Sequence, residues 1–266
     1  MKYMNCIVFG VYNGYTTLKT EKGGLYYFIK SLREYNQNSK VVIVCEKKNV
    51  FDDLVHFSKE MNFEIYSEFD LEFSMMSYRF LIYKKYLYES KEKFDKILLA
   101  DTNDVIFQED PFCIEFVDEL YCALEDSILT DTSNWSSNLN MSWIHECDHI
   151  YNNMNNYINQ NIVCAGTILG TYQGINKYLD FYENVQKKKQ VNDQGVYNIY
   201  IHNYLFSKKM LQYKKSKILT LDRISFDSLH VKKKDGKYCI VNEKGEKYSI
   251  IHQINRCNLP FMLSLV

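Results

Sequence analysis

Lys96-Ile-Leu-Leu-Ala-Asp101-Thr-Asn-Asp104-Val-Ile-Phe-Gln108-Glu-Asp-Pro111-Phe112 is the stretch that decides the fold. A four-residue apolar run reads as a buried strand and stops at the carboxylate of Asp101. A second carboxylate follows at Asp104, then a short apolar run and a Pro-Phe turn. Two carboxylates at one strand exit repel each other unless something cationic sits between them. A divalent metal carrying a diphosphate meets that need, because hard cations take carboxylate and phosphate oxygens. The same residue types also favour plain turns and helix caps. Residues i and i+3 point to opposite faces of a straight strand, so both carboxylates reach one ion only if the chain bends at Thr102-Asn103.

Upstream, strand-like and helix-like segments alternate. Cys6-Ile-Val-Phe9 is a short apolar run that leads into a loop marked by Gly10, Asn13 and Gly14. Residues 24–35 place Leu25, Phe28, Ile29 and Leu32 at helical spacing. A strand at 41–45, a helix at 51–61, a strand at 63–66 and a helix at 76–88 follow, the last with Phe80, Tyr83 and Leu87 on one side. Strands separated by helices of this length predict βαβ units and a mostly parallel sheet. Ligands of such sheets bind beyond the carboxyl ends of the strands, which singles out the loops after Phe9 and after Ala100.

Downstream the pattern is less regular. Residues 131–140 are rich in Ser, Thr and Asn around Trp135, and read as a loop over an acceptor site. Helices are expected at 150–158, 178–185 and 194–205, and a strand at 162–169 interrupted by Ala165-Gly166. Asp235-Gly236 and Lys244-Gly245, set between short apolar runs, predict a C-terminal β-hairpin. No repeat and no linker composition interrupts the chain, so a single α/β domain over 1–266 is expected.

Composition narrows the function. Hydrophobic residues make up 46% and charged residues 24% of the 266, enough for a sizeable core. A net charge of -1 argues against a nucleic-acid partner, which calls for a basic face. The lysine runs at 187–189 and 232–234 read as solvated surface, with contact to an acidic acceptor or anionic membrane as the alternative. None of the 8 cysteines forms a C-x-x-C pair, so thiols in a reducing compartment are expected. His145, Cys147 and His149 alternate but lack a second pair of zinc ligands. The N-terminal apolar run is too short for a leader or a membrane span. A cytoplasmic protein without a transmembrane segment is the expectation.

The quoted stretch resembles the metal-binding motif of GT-A-fold nucleotide-diphospho-sugar glycosyltransferases, in the branch reading Asp-x-x-Asp-Val-x-Phe-Gln-x-Asp-Pro-Phe. Four further segments are similar to that family in the expected order. Ser77-Tyr-Arg79-Phe-Leu-Ile-Tyr resembles the helix that turns an arginine to the donor. Asn161-Ile-Val-Cys-Ala-Gly166-Thr-Ile-Leu-Gly170 resembles the Asn-x-Gly-x-x-x-Gly strand. Asn192-Asp193-Gln194-Gly-Val-Tyr-Asn198 resembles an Asp-Gln-x-x-x-Asn helix start. Ile250-Ile-His252-Gln-Ile-Asn-Arg256 resembles the segment that returns a metal-ligating histidine.

The resemblance implies a Rossmann-like, mixed but mostly parallel sheet flanked by helices. A nucleotide-sugar-binding half would span 1–110; an acceptor half with the metal-ligand segment would span 111–266. It implies Mn2+ or Mg2+ on Asp104 and His252, with Asp101 as third ligand or ribose contact, because the commoner Asp-x-Asp motif would place Thr102 at its first carboxylate. The donor, UDP-linked by family analogy, would lie against Phe9, Gly10, Val11, Tyr12, Asn13 and Tyr15. Arg79, Thr102, Asn103, Gly166 and Arg256 would complete its site. Trp135, Asp193 and Gln194 would face a glycan, protein or lipid-linked acceptor. Asp193 reads either as the general base of an inverting transfer or as a helix N-cap. Two rivals remain. One is a haloacid-dehalogenase-type phosphatase, which needs an Asp where Asn103 stands. The other is an inert nucleotide-sugar-binding module.

Overall fold

The computed structural model describes residues 4–14, 18, 24–67, 75–115, 119–147, 154–157, 159–204, 216–221, 229–234 and 236–256. Its centre is a six-stranded sheet built from β1 (Cys6–Tyr12), β2 (Lys40–Cys45), β3 (Glu64–Tyr66), β4 (Lys96–Ala100), β6 (Leu120–Ile128) and β7 (Asn161–Thr171), in the order β3-β2-β1-β4-β7-β6. The first four in that order run parallel, and β7 runs antiparallel to both its neighbours. The fold is therefore a mixed, mostly parallel α/β sheet, as the alternation predicts. Residues from the later half of the chain complete the same sheet that the earlier half begins.

The central strands are apolar on both faces because both are covered. Ile7, Phe9 and Val11 face one core, which contains α3 (Met75–Glu89), α5 (Tyr172–Gln186) and α6 (Asp193–Tyr204). Cys6, Val8 and Tyr12 face the other, which contains α1 (Leu25–Tyr35) and α2 (Asp52–Glu60). The heavy use of tyrosine belongs to this packing: Tyr178, Tyr182 and Tyr197 are fully buried, and Tyr178 meets Tyr197 edge-on with centroids 5.0 Å apart.

A second, three-stranded sheet carries the rest of the decisive motif. β5 (Val105–Phe107) pairs antiparallel with β11 (Ile250–His252), and β11 runs parallel to β8 (Ile218–Thr220). Gln108 stitches this unit to the C-terminal strands: its Nε2 donates to the carbonyls of Ile240 and Tyr248, both at 3.0 Å, and its Oε1 accepts from Ile240 N at 2.8 Å. Asp110 Oδ1 caps the Pro-Phe turn by accepting from Phe112 N at 2.9 Å. The Phe-Gln-x-Asp-Pro-Phe portion of the motif thus supports the site without entering it. The expected hairpin is present as β9 (His230–Lys234) and β10 (Lys237–Val241).

Two segments differ from their readings: β1 runs on through Tyr12, where a loop was expected after Phe9, and the second lies after β6. Residues from Trp135 onward form a helix, α4 (Trp135–His145), where a loop over 131–140 was expected. Asn134 caps it, its side chain accepting from Ser136 N at 2.8 Å. The buried face of α4 consists of Ser136, Ser137, Asn140 and Ile144. Ser137 Oγ donates to Ile128 O at 2.6 Å. Hydrogen-bonded small side chains replace apolar ones on that face, so the helical period is hidden in the sequence. Of the helix expected at 150–158, only 154–157 are described, and they form a single short turn. Among the described residues no helix is long and apolar enough to cross a membrane.

Candidate active site

The bend that the two carboxylates require is present. After β4 the chain turns through residues 102–104 before β5. Thr102 is buried, and its hydroxyl donates to the carbonyl of Val11. Asn103 O accepts from Gly24 N at 2.8 Å, and Gly24 has φ 108, a left-handed conformation suited to glycine. These bonds anchor the turn to β1 and to the start of α1, and bring Asp101 and Asp104 to one side.

His252 arrives from the far end of the chain through strand pairing. The β5–β11 register sets His252 opposite Val105, one residue from Asp104. Its Nε2 lies 3.5 Å from Asp104 Oδ1 and 3.6 Å from Asp101 Oδ2. One ligand atom from each of the three residues falls within 4.8 Å of the other two. The next residue, Gln253, turns the chain away with φ 63. On its other edge the imidazole meets Cys164, with Sγ 3.3 Å from Nδ1.

Gly166 makes room for this cluster. Its carbonyl accepts from Asp101 N at 2.9 Å. A Cβ at this position would lie 2.6 Å from both Asp101 Oδ2 and His252 Nε2. Two carboxylates and one imidazole, spaced for a common ion and partly open to a cavity, suit a divalent first-row metal.

Arg79, from α3, is 3% exposed and lies between two carboxylates. Nη1 pairs with Asp101, and Nη2 lies 2.6 Å from Asp193 Oδ2. Asp193 Oδ1 accepts from Gln194 N at 2.8 Å at the start of α6. The two acids respond differently. Burial pushes the Asp101 carboxyl up, but Arg79 and His252 outweigh it and hold it well below the usual carboxylate range. Burial also pushes Asp193 up; Arg79 opposes this, the negative charge of Asp101 adds to it, and the net result is a raised carboxyl. Asp101 has two cations beside it, whereas Asp193 shares one. His252, despite burial, is raised well above the usual imidazole value by Cys164, Asp104 and Asp101.

A cavity of about 250 Å³ opens over these groups. Asp101, Asp104, Arg79, Asp193 and His252 line it, as do Gly166 and the exposed Arg256. Trp135, 59% exposed, and Gln194 also line it. The proposed nucleotide loop is placed differently. Phe9, Val11 and Tyr12 are buried in the two cores, Phe9 against Tyr83 at 4.9 Å and Tyr12 against Phe51 at 6.1 Å. Gly10 packs against Thr102. Asn13, half-buried, accepts at its carbonyl from Asn49 Nδ2 at 3.0 Å. Tyr15 and His149 lie outside the described residues. Among the described residues all seven cysteines are free thiols.

Sequence reasoning missed Glu125, Asn140 and Asn192 on the cavity lining. Glu125 and Asn140 sit on elements that were not recognised, β6 and α4, so no periodicity pointed them inward.

No family model matches the chain, and no curated protein matches it. Among solved structures it is similar to the glycosyltransferase GlyE of Streptococcus pneumoniae TIGR4, at 17% identity and a TM-score of 0.39, over 77% of this chain and 44% of that one. The apo form of the same glycosyltransferase gives 17% identity and a TM-score of 0.39, over 75% of this chain and 43% of that one. The chain thus spans less than half the length of the solved proteins it matches.

Proposed function

We propose that this chain is a metal-dependent glycosyltransferase that moves a sugar from a nucleoside-diphosphate carrier, UDP by family resemblance, to an acceptor hydroxyl. The observation that carries the reading is the convergence of Asp101, Asp104 and His252 at the carboxyl end of a parallel strand, in a cavity that also holds Arg79 and Asp193. Ligands of open α/β sheets bind at that edge.

Asp104 and His252 would hold Mn2+ or Mg2+, with the free oxygen of Asp101 as third ligand or ribose contact. When bound, the ion would neutralise charge on the departing diphosphate as a Lewis acid. Arg256 on the cavity rim offers a second positive charge to the phosphates. Arg79 acts on the protein's own acids instead. Buried between Asp101 and Asp193, it fixes both carboxylates and keeps them from repelling each other. Asp193, with its carboxyl raised, would take the proton of the attacking acceptor hydroxyl, as in an inverting transfer. Its Oδ2 must loosen its hold on Arg79, or its Oδ1 its hold on Gln194, to do so. Gly166 leaves backbone-close space for the Asp101 and His252 side chains that would hold the ion. Trp135 offers an exposed indole to an acceptor, whether glycan, protein or lipid-linked glycan.

The test is thermal stability against UDP, GDP, CMP and AMP, each with Mn2+ or with chelator. A ligand bound only by the folded state raises the midpoint by mass action. The expected result is a rise with one nucleoside diphosphate that vanishes with chelator. No rise with any nucleotide, with or without metal, would overturn the reading.

A further inference from the structure

Cys164 is a buried thiol that the proposed transfer leaves unused. It is 1% exposed, and its Sγ lies 3.3 Å from Nδ1 of His252, itself 2% exposed. The other nitrogen of the same ring, Nε2, faces Asp104 Oδ1 at 3.5 Å and Asp101 Oδ2 at 3.6 Å. The ligand atoms that converge belong to Asp101, Asp104 and His252, and Cys164 stands outside that set. The imidazole therefore lies between a thiol on one edge and two carboxylates on the other.

The strand that carries the thiol is fastened on both sides of it. Asn198, on α6, bonds both backbone groups of Val163: its Oδ1 accepts from Val163 N at 2.9 Å, and its Nδ2 donates to Val163 O at 3.0 Å. Gln194, one turn earlier on that helix, accepts at Oε1 from Ala165 N at 2.9 Å. Beyond Cys164 the ladder to β6 is irregular. Ala123 pairs with Cys164 but Cys122 pairs with Ile168, so β7 spends more residues than β6 over that interval. Bulges of this kind re-aim side chains beside functional sites. Two residues apart on β7, Cys164 and Gly166 treat the ring differently. The thiol meets Nδ1, whereas a Cβ on Gly166 would lie 2.3 Å from Cε1 and 2.6 Å from Nε2. The strand thus supplies a partner at one nitrogen and space beside the other.

Which ring nitrogen serves as a ligand is set by the hydrogen bond the other one makes. For His252 to offer its Nε2 lone pair to a cation, its proton must sit on Nδ1, inside the core. A buried N–H left without a partner costs the full desolvation of that group. A thiol sulfur accepts weakly as well as donating weakly, so Cys164 can receive that N–H. It can also donate S–H to Nδ1 when Nε2 carries the proton and points it at the carboxylates. We propose that Cys164 is a positioning residue: its Sγ accepts from Nδ1–H and holds the ring with Nε2 free for a cation shared with Asp101 and Asp104. The proposal rests on the metal-site reading above and adds the group that stands behind its histidine. Outer partners of this kind carry about 10–100-fold of metal affinity.

The experiment compares Cys164→Ser, which keeps a group that accepts and donates, with two variants that remove it. Cys164→Ala leaves the space and Cys164→Val fills it. Mn2+ affinity is measured by calorimetry without nucleotide, and the thermal midpoint of each metal-free protein reports packing. Wild type and Cys164→Ser should bind Mn2+ within about threefold of each other, and the other two about 10–100-fold more weakly. The midpoints should not follow that order, because only the serine variant buries an added hydroxyl, which costs stability in an apolar surrounding. If Cys164→Ser binds Mn2+ no better than the better of the apolar variants, the thiol merely packs and the proposal is overturned. Nitrogen NMR of labelled histidine rings, with diamagnetic Mg2+ in place of Mn2+, gives a second readout. The His252 signals, identified by their loss in His252→Gln, should place the proton on Nδ1 in wild type and Cys164→Ser. A proton on Nε2 would overturn the proposal. So would a sulfur-to-metal charge-transfer band on adding Cd2+, which would make the thiol itself a ligand. Absence of Mn2+ and Mg2+ binding by wild type would instead strike the metal-site reading. The metal-free spectra would then decide this one: the Nδ1 signal should move in Cys164→Val and hold in Cys164→Ser, and equal shifts in both would sink the positioning role.

Discussion

Arg79 and Asp193 form a buried ion pair, Nη2 to Oδ2 at 2.6 Å, and the same guanidinium also engages Asp101. One cation thus compensates two acids that converge on the cavity from β4 and α6. Buried charges tolerate this only while the set is complete, because removing one partner leaves the others desolvated and unpaired. Arg79→Leu should lose about 3–5 kcal/mol in urea denaturation at pH 7. The pH dependence gives a second readout. Without Arg79 the Asp193 carboxyl rises further above its unfolded value and the Asp101 carboxyl loses the main cause that holds it low, so the folded state binds extra protons and stability falls as pH rises. The variant should therefore recover part of its deficit between pH 7 and pH 5. A uniform deficit across that range would mean that Arg79 contributes packing alone.

Asp193→Asn separates base from scaffold. The amide keeps an oxygen for Gln194 N, but it cannot take a proton and no longer neutralises Arg79. Nucleotide affinity with Mn2+ should stay within about threefold of wild type, while turnover falls by about 10²–10⁴, the range for a general base. Stopped-flow or coupled measurement of UDP release from the active donor reads this directly. Retained turnover would leave Asp193 as a structural partner of Arg79.

Asp104 and His252 meet only because β5 and β11 pair in one register. Neither Asp104→Asn nor His252→Gln alters that pairing. Both should abolish the Mn2+-dependent part of the UDP-induced rise in thermal midpoint while leaving any metal-independent part. An unaltered metal titration in either variant would remove that residue from the ligand set.

Gly166→Ala is the most localised test of the cluster's shape. The added methyl carbon would press on Asp101 Oδ2 and His252 Nε2, each 2.6 Å away, so one of them must shift. A displacement of a few tenths of an ångström spoils a shared ligand geometry long before it unfolds a strand. Mn2+ affinity should fall by about tenfold or more, the scale seen when groups that support a metal ligand are disturbed. The cost in stability should be modest, since the contacts are with side-chain ends and the Asp101 carboxylate, 23% exposed, can give. Calorimetry with Mn2+ and UDP reads the first effect, and urea denaturation the second.

The parallel half of the sheet was legible because its strands are continuous apolar runs broken by helices of regular period. Asp101 and Asp104 were legible because they follow such a strand. His252 was not readable from local pattern: its place in the site comes from β11 pairing across the chain with β5, a nonlocal contact that only the family resemblance anticipated. Phe9, Val11 and Tyr12 were assigned to a nucleotide loop, yet β1 extends through Tyr12 and buries all three. The strand continued past the glycine that reads as its end. Glu125 and Asn140 were invisible for the opposite reason. One sits where β6 departs from period two, and the other on a helix whose buried face is polar.

Among the described residues outside the site, His202 carries a clear acid sensitivity. On α6, its Nε2 lies 3.1 Å from Asn161 O, and its ring packs edge-on against Tyr157 with centroids 6.0 Å apart. A carbonyl only accepts, so the neutral ring donates through Nε2. Burial pushes the imidazole down to about 4, opposed in part by that hydrogen bond. The unfolded chain, with an ordinary histidine near 6.5, therefore binds the proton first as pH falls. Folding stability from this residue is intact above the unfolded value and is lost progressively between about pH 6.5 and pH 4. The shift corresponds to roughly 3 kcal/mol over that window. His202→Gln, which keeps a donor for Asn161 O but does not titrate, should lose correspondingly less stability than wild type between pH 7 and pH 4.5. Carboxylates titrate in the same range in both proteins, so the difference between the two urea midpoints isolates the imidazole. Parallel loss in wild type and variant would place the acid sensitivity elsewhere in the fold.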